Sequence, residues 1–384
     1  MDEINMKKKM LVLCDYFLPS VKAGGPVRSI DGIISCLKND LDITVATRNH
    51  DLGDSTPYVG IKSNCLQLNN NYQIIYLSPD YIVQGIRTLL ETIAFDIIYF
   101  NSFFSPKISV RTLFFLKKRG IQTTRIIIAP RGELGAGALS IKPIRKKLFL
   151  FFFKHFFPID LIEWHAASQS EEFEIIKVIG PSAHVTVLPN IAVHSTFGHA
   201  IKHKQKDNIK LVFLSRISKK KNLHKAIETL SAVKGRATLD IYGLIEDPDY
   251  WHVCLDAIGK LPNNIQVTYR GECHPDDVVG TLNNYDLFFL PTLNENYGHA
   301  IVESLAAGTP VLISNQTPWH DLTEHNAGWE FDLSSMEQSA ELIDQLIALD
   351  HNEYHSYKRG AIDYYSNNIA NANLAGYYQQ YFKR

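Results

Sequence analysis

The chain has 384 residues, 45% of them hydrophobic, with 39 Lys and Arg against 40 Asp and Glu. That length and apolar content provide for two domains of ordinary size, and a net charge of −1 gives a nucleic-acid role no bulk electrostatic support. The five cysteines, Cys14, Cys36, Cys65, Cys254 and Cys273, show no C-x-x-C and no zinc spacing, which suits free thiols in a reducing cytosol.

Lysines at 7 to 9 precede a run, Met10 to Cys14, that is too short for a signal h-region and reads as the first strand together with Lys9. A loop carrying Gly24-Gly25-Pro26 follows. Apolar residues at Val27, Ile30, Ile33, Ile34 and Leu37 then predict a helix. Further strands are expected at Asp42–Thr47, Ile74–Leu77, Ile97–Phe100, Arg125–Ala129 and Asp160–Trp164, with helical patterns between most of them. No segment approaches an uninterrupted membrane span. The stretch from His194 to Asn208, rich in His, Lys and polar residues, reads as a linker.

A second series starts near residue 209, with strands expected at Ile209–Phe213, Leu239–Tyr242, Ile265–Tyr269, Asp286–Leu290 and Val311–Ser314. Helices are expected at Leu223–Val233 and Asp276–Asn283, and the tail from Ala370 to Arg384 also reads as helix. Two runs of alternating strand and helix predict two α/β domains, each a parallel sheet with helices on both faces, and a cleft between them.

Residues 286–313 carry the most informative pattern. An apolar strand ends at Pro291, Glu295-Asn296-Tyr297-Gly298 forms a glycine-bearing loop, Glu303 lies about two turns into a helix, and Ala306-Ala307-Gly308-Thr309-Pro310-Val311 closes the unit. Ligands of open α/β sheets sit at the carboxyl ends of strands, and a helix N-terminus there favours phosphate. Carboxylates cannot favour a phosphate, so Glu295 and Glu303 are expected to hydrogen-bond something hydroxylated, such as a sugar. Arg216 and Lys221 follow the first strand of the second series and supply cations at an equivalent strand end. Asp247-Pro248-Asp249, a D-x-D match, reads as an ordinary loop, so no metal site is expected.

These motifs resemble retaining GT-B glycosyltransferases of the large family 4 type, the group 1 enzymes that include builders of bacterial surface polysaccharides. The resemblance is specific at 286–313, moderate at 211–223 and 125–133, and weak elsewhere. It implies an α/β GT-B fold of two Rossmann-like parallel-sheet domains: residues 1–195 on the acceptor side, completed by a terminal helix at about 366–384, and residues 196–365 for the donor. It implies that Arg216 and Lys221 hold the donor diphosphate, although Asn222 stands where the family has glycine. Glu295 would contact the donor sugar, Glu303 the ribose hydroxyls, and the N–H groups of Asn296, Tyr297 and Gly298 the sugar or phosphate. Gly24 and Gly25 would face the pyrophosphate, with Tyr242, Gly243 and Gly271 lining the nucleotide pocket.

On the acceptor side the same resemblance points to Asn101, Arg131 and His165, although relatives often carry His where Asn101 and Arg131 stand. The implied reaction moves a sugar from a nucleoside-diphosphate sugar to a hydroxyl of a growing, lipid-linked glycan, with no cofactor, no metal and no nucleic-acid partner. The expected location is cytoplasmic, at the inner face of the cell membrane if the basic-aromatic stretch Lys142–Phe157 lies on a bilayer rather than packing inward. An epimerase or hydrolase acting on nucleotide sugars, or a non-catalytic nucleotide-sugar-binding protein, would share the same motifs; turnover with and without acceptor separates them.

Overall fold

The computed structural model describes residues 7–120, 124–140, 142–191, 203–370 and 373–384. Contacts divide the chain into two compact units, residues 1–193 with 373–384, and residues 194–372. Of the expected linker, residues 194–202 lie outside the described residues, and Asn208 already begins a strand.

The first unit holds β1 (Lys9–Leu13), β2 (Asp42–Arg48), β3 (Leu66–Asn69), β4 (Tyr72–Leu77), β5 (Ile97–Phe100), β6 (Arg125–Ile128), β7 (Ile162–Ala166) and β8 (His184–Val187). They form one sheet in the order β3-β4-β2-β1-β5-β6-β7-β8, in which β3 pairs antiparallel with β4 and the other pairings are parallel. Its helices are α1 (Gly25–Leu37), α2 (Ile82–Thr92), α3 (Arg111–Arg119), α4 (Ala136–Leu139), α5 (Pro143–Phe156) and α6 (Gln169–Ile179).

Strand alternation decides which side chain faces which layer. Met10 and Val12 join a core with Val27, Ile30 and Ile34 of α1. Leu11 and Leu13 point the other way, into a core with Ile86 of α2, Leu113 of α3, Phe153 of α5 and Ile175 of α6. Both faces are covered, which is why the central strands read as continuous apolar runs.

The second unit holds β9 (Asn208–Leu214), β10 (Arg236–Tyr242), β11 (Ile265–Gly271), β12 (Leu287–Leu290), β13 (Val311–Ser314) and β14 (Gly328–Phe331), with α7 (Leu223–Leu230), α8 (Pro248–Ile258), α9 (Val278–Leu282), α10 (His299–Ala306), α11 (Met336–Ala348) and α12 (His351–Tyr364). Its sheet is parallel throughout, ordered β11-β10-β9-β12-β13-β14. This is the doubly wound order of a dinucleotide-type domain, and its direction of winding reverses between β9 and β12. In the first unit the reversal lies between β1 and β5.

The terminal helix α13 (Leu374–Lys383) returns to the first unit, where Tyr378 and Phe382 are fully buried in the core of α1. Arg125 forks onto Glu163 at 2.8 and 2.9 Å and also donates to the carbonyls of Tyr381 and Arg384. Lys383 pairs with Asp40 at 2.7 Å. The returning segment is shorter than the expected 366–384, because Tyr365 and Ile369 are buried within the second unit in a π-helical continuation of α12. Strands β3, β8 and β14 were not expected. They are four-residue edge strands with partial exposure, so neither length nor apolar alternation marks them.

Candidate functional site

Parallel strands open their loops on one edge of a sheet, so the loops after β9 and β12 meet where the winding reverses. The loop after β9 carries Arg216 and Lys221, and the loop after β12 carries Glu295. Backbone bonds tie the two loops together. Leu293 N–H donates to the Lys220 carbonyl at 2.8 Å, and the Thr292 hydroxyl donates to the same oxygen at 3.2 Å. Glu295 N–H donates to Gln316 at 2.9 Å, adding the loop after β13. The Lys221 ammonium forms a close ion pair with the Glu295 carboxylate, and both side chains are largely sheltered from solvent.

Arg216 is held differently. The loops after β9 and β10 are zipped by Ser215 N–H to Tyr242 O (3.0 Å) and Ile217 N–H to Leu244 O (2.8 Å), which places Glu246 beside Arg216. Arg216 Nη1 donates to Glu246 Oε1 at 2.7 Å in a half-open setting. Sequence reasoning did not single out Glu246 as a partner. Thirty residues separate the two in the chain, and only the in-register pairing of Leu214 with Tyr242 makes their loops neighbours. Asn222, where the resembled family has glycine, is in the left-handed region at φ 62° and precedes α7, a conformation Asn tolerates better than most residues.

Gly298 is the N-cap of α10 with φ 79°, and a Cβ there would stand 2.7 Å from Ile301 and 3.1 Å from Glu295. The Tyr297 ring is buried and edges against His299 and Trp319, while Trp319 Nε1–H donates to the Tyr297 carbonyl. This pins the turn that presents Asn296, Tyr297 and Gly298 ahead of the helix. Glu303 is 4% exposed, and its charge bears on Tyr297, whose phenol is held well above the usual range chiefly by burial.

Tyr242, Gly243 and Gly271 sit together at the ends of β10 and β11. Register slips there so that Tyr242 pairs with Gly271 instead of Arg270, and Gly243 N–H donates to Gly271 O at 2.8 Å. Gly243 has φ 141°, and an added Cβ would meet the Ser215 carbonyl oxygen at 1.9 Å. Tyr242 shares a hydrogen bond of 3.0 Å with Tyr285, which donates to Asp240 at 2.7 Å. Asp247 caps α8 by accepting from Tyr250 N–H at 3.0 Å, so the D-x-D match has a local structural use.

In the first unit, Gly24 precedes α1 with φ 64°, and its Cβ direction is open. Asn101 ends β5 and donates to Pro26 O at 3.2 Å. Arg131 is at φ 54° and spreads its guanidinium over Asn101, Asn190 and the Tyr99 hydroxyl, each at 2.7 Å. These bonds tie together the ends of β5 and β6 and the segment after β8, at the position the sequence resemblance gave to the acceptor side. Glu171 clamps the same turn by accepting from Gly132 N–H at 2.6 Å and Ala167 N–H at 2.7 Å.

His165 departs from the acceptor-side expectation. It has no exposure, its Nδ1 lies 2.7 Å from Tyr99 Oη, and its Nε2 lies 2.8 Å from Leu188 O and 3.2 Å from Tyr378 Oη. Burial first, then the Arg131 charge, pushes its pKa down to about 3. A histidine so enclosed has no face to offer a substrate. It packs the core where α13 closes the unit.

The stretch 142–157 is neither wholly buried nor wholly surface. Phe153 and Phe157 face the core, while Ile144, Leu148, Phe151, Phe152 and Phe156 are 42–80% exposed. At 100° per residue those five fall on one side of α5, and Lys147 and Lys154 flank it.

Residues 196–363, less than half of the chain, match the family described as glycosyl transferases group 1. The capsular polysaccharide biosynthesis glycosyltransferase CapM of Staphylococcus aureus is 24% identical over 151 residues, 37% of each chain. A glycogen synthase of Mycobacterium tuberculosis is 26% identical over 152 residues, 38% of this chain and 36% of the relative. The chain thus spans little more than a third of the curated relatives it matches.

Likeness in fold extends much further. A sucrose-phosphate synthase from Thermosynechococcus elongatus superposes with a TM-score of 0.74 at 12% identity, covering 98% of both chains. Anabaena HepE in complex with UDP-glucose gives 0.70 at 18% identity over 98% of this chain and 99% of that one. The two parallel-sheet α/β units are those of the GT-B glycosyltransferase fold, and the second carries a glycosyl transferases group 1 domain.

Proposed function

We propose that the chain is a retaining glycosyltransferase. It moves a sugar from a nucleoside-diphosphate sugar to a hydroxyl of a growing glycan of the lipid-linked, surface-polysaccharide kind. The observation that carries this reading is the gathering of Arg216, Lys221 and Glu295 at the winding reversal of the second sheet, beside the pinned turn 296–298.

In the reaction the bond from the anomeric carbon to the diphosphate oxygen breaks and its electron pair stays on the diphosphate. Arg216 and Lys221 hold that charge, each exchanging a carboxylate partner for phosphate oxygens. Glu295, released from Lys221, accepts from sugar hydroxyls, and Glu303 accepts from the ribose. The acceptor hydroxyl attacks from the face the diphosphate leaves, and its proton passes to a departing phosphate oxygen, so configuration is retained. Two fixed cations do the work a metal would do, and the chemistry is metal-independent. UDP in the Anabaena complex makes a uridine donor the first to try.

The names of CapM and of WaaG, a glycosyltransferase involved in lipopolysaccharide biosynthesis, support a surface glycan as acceptor. The exposed apolar face of α5, with lysines at its flank, fits contact with the membrane that holds a lipid-linked acceptor. The test is turnover of nucleoside-diphosphate sugars with and without a glycan acceptor. Acceptor-dependent transfer, undiminished by chelator and giving the donor's anomer, is expected. Release of free sugar alone, binding without turnover, or activity abolished by chelator would each count against the corresponding part of the proposal.

A further inference from the structure

A second charged site lies on the first unit, formed by α2 and α3. A hollow of about 670 Å³ there is lined by Arg87, Arg111, Lys118 and Arg119, with Glu91 as the lone carboxylate. No salt bridge joins any of these four cations to a carboxylate among the described residues. Arg87 and Arg119 instead lie over the Phe115 ring at 5.5 and 5.6 Å, and Arg119 Nη1 also donates to the Leu90 carbonyl at 2.9 Å. Four cations set against one carboxylate leave an excess of positive charge, and anionic oxygens would offset it.

The hollow is continuous with the apolar face of α5. Phe114, 43% exposed, lines the hollow and packs edge-on against Phe157 at 5.1 Å. Lys117 lies over Phe156 at 5.0 Å and Phe157 at 5.5 Å. A cation of α3 thus adjoins exposed Phe156, which stacks on exposed Phe152 at 5.9 Å, the combination suited to the boundary between headgroups and acyl chains.

We infer that the α2–α3 hollow binds phosphate headgroups of anionic lipids while the aromatic face of α5 enters the bilayer. This rests on the membrane contact proposed above and adds a headgroup site to it. Commitment to a bilayer follows from the continuity of charge with the exposed aromatic surface; a soluble anion would use the cations and leave that surface wet.

The experiment is co-sedimentation of the full chain with vesicles of phosphatidylcholine, either alone or with about a third phosphatidylglycerol, at about 0.1 M salt. Arg111→Ala/Lys118→Ala is compared with Phe151→Ser/Phe152→Ser. All four positions are exposed, and a melting temperature and a response to uridine diphosphate that both equal those of wild type certify the variants.

Wild type is expected to prefer the anionic vesicles, and the Arg111/Lys118 variant to lose ~30-fold in partitioning to them. An Arg111/Lys118 variant that binds anionic vesicles as well as wild type does, or wild type that binds the two kinds of vesicle equally, overturns the headgroup site alone. Wild type that sediments with neither vesicle overturns the membrane contact as well. Both failures leave the glycosyltransferase reading standing wherever uridine diphosphate still stabilises the protein.

Discussion

Arg216 and Lys221 are assigned one task, yet their surroundings predict different penalties when each is replaced by alanine. Lys221 and Glu295 have side-chain exposures of 12% and 14%, so Lys221→Ala strands a sheltered carboxylate. Breaking a fully buried pair costs ~3–5 kcal/mol and an exposed pair ~0.2–1 kcal/mol, which places this one at ~2 kcal/mol. In a unit of this size that lowers the melting temperature by ~4–8 °C. Arg216 and Glu246 are each 40% exposed, so Arg216→Ala costs at most ~0.5 kcal/mol of stability after solvent screening.

For turnover the two converge, because each loses a fixed charge at the departing diphosphate, worth ~10²–10³ in kcat. Differential scanning fluorimetry and steady-state release of nucleoside diphosphate measure the two quantities side by side. Glu295→Gln in the Lys221→Ala background should recover part of the lost stability without recovering turnover, since it removes the stranded charge alone. The reasoning fails if Arg216→Ala keeps turnover within ~3-fold of wild type, or if Lys221→Ala is as stable as Arg216→Ala.

Gly243→Ala should destabilise the second unit by ~2–4 kcal/mol in urea titration, since an added methyl meets the Ser215 carbonyl and the backbone stands in a region L residues avoid; a change under ~0.5 kcal/mol would show that the β9 and β10 loops yield freely. His165 predicts acid sensitivity of the first unit. Its folded pKa of about 3 lies below the ordinary 6.5, so the unfolded chain binds the extra proton between those values, and stability is full above ~6.5 and declines as pH falls toward 3. The loss is ~2 kcal/mol by about pH 5, read as a fall in the urea midpoint from pH 7 to pH 5. His165→Gln should flatten that slope, and an equally steep variant would place the acid sensitivity elsewhere.

The local order of elements was legible in the chain because it is written in short-range pattern. Val27, Ile30 and Ile34 mark a helix face, and the apolar run from Met10 to Leu13 marks a strand covered on both sides, whatever the rest of the molecule does. The glycine loop at 295–298 and the cations at 216 and 221 could be placed at strand ends for the same reason. Partnerships could not be read, since they depend on sheet order. Lys221 meets Glu295 because β9 lies beside β12, and Arg216 meets Glu246 because β9 also lies beside β10.

Burial was equally out of reach. His165 and Arg131 occupy strand ends that resemble ligand positions, but Tyr99 and Asn190, with Tyr378 from the far end of the chain, enclose one and engage the other. The pattern of α5 announced an aromatic helix without saying which aromatics face out, since aromatics surround most of it and only docking against Phe103 and Trp164 selects Phe153 as the inner side. Sequence period sets what an element is, and the neighbours that long-range folding brings decide which of its side chains remain available for chemistry.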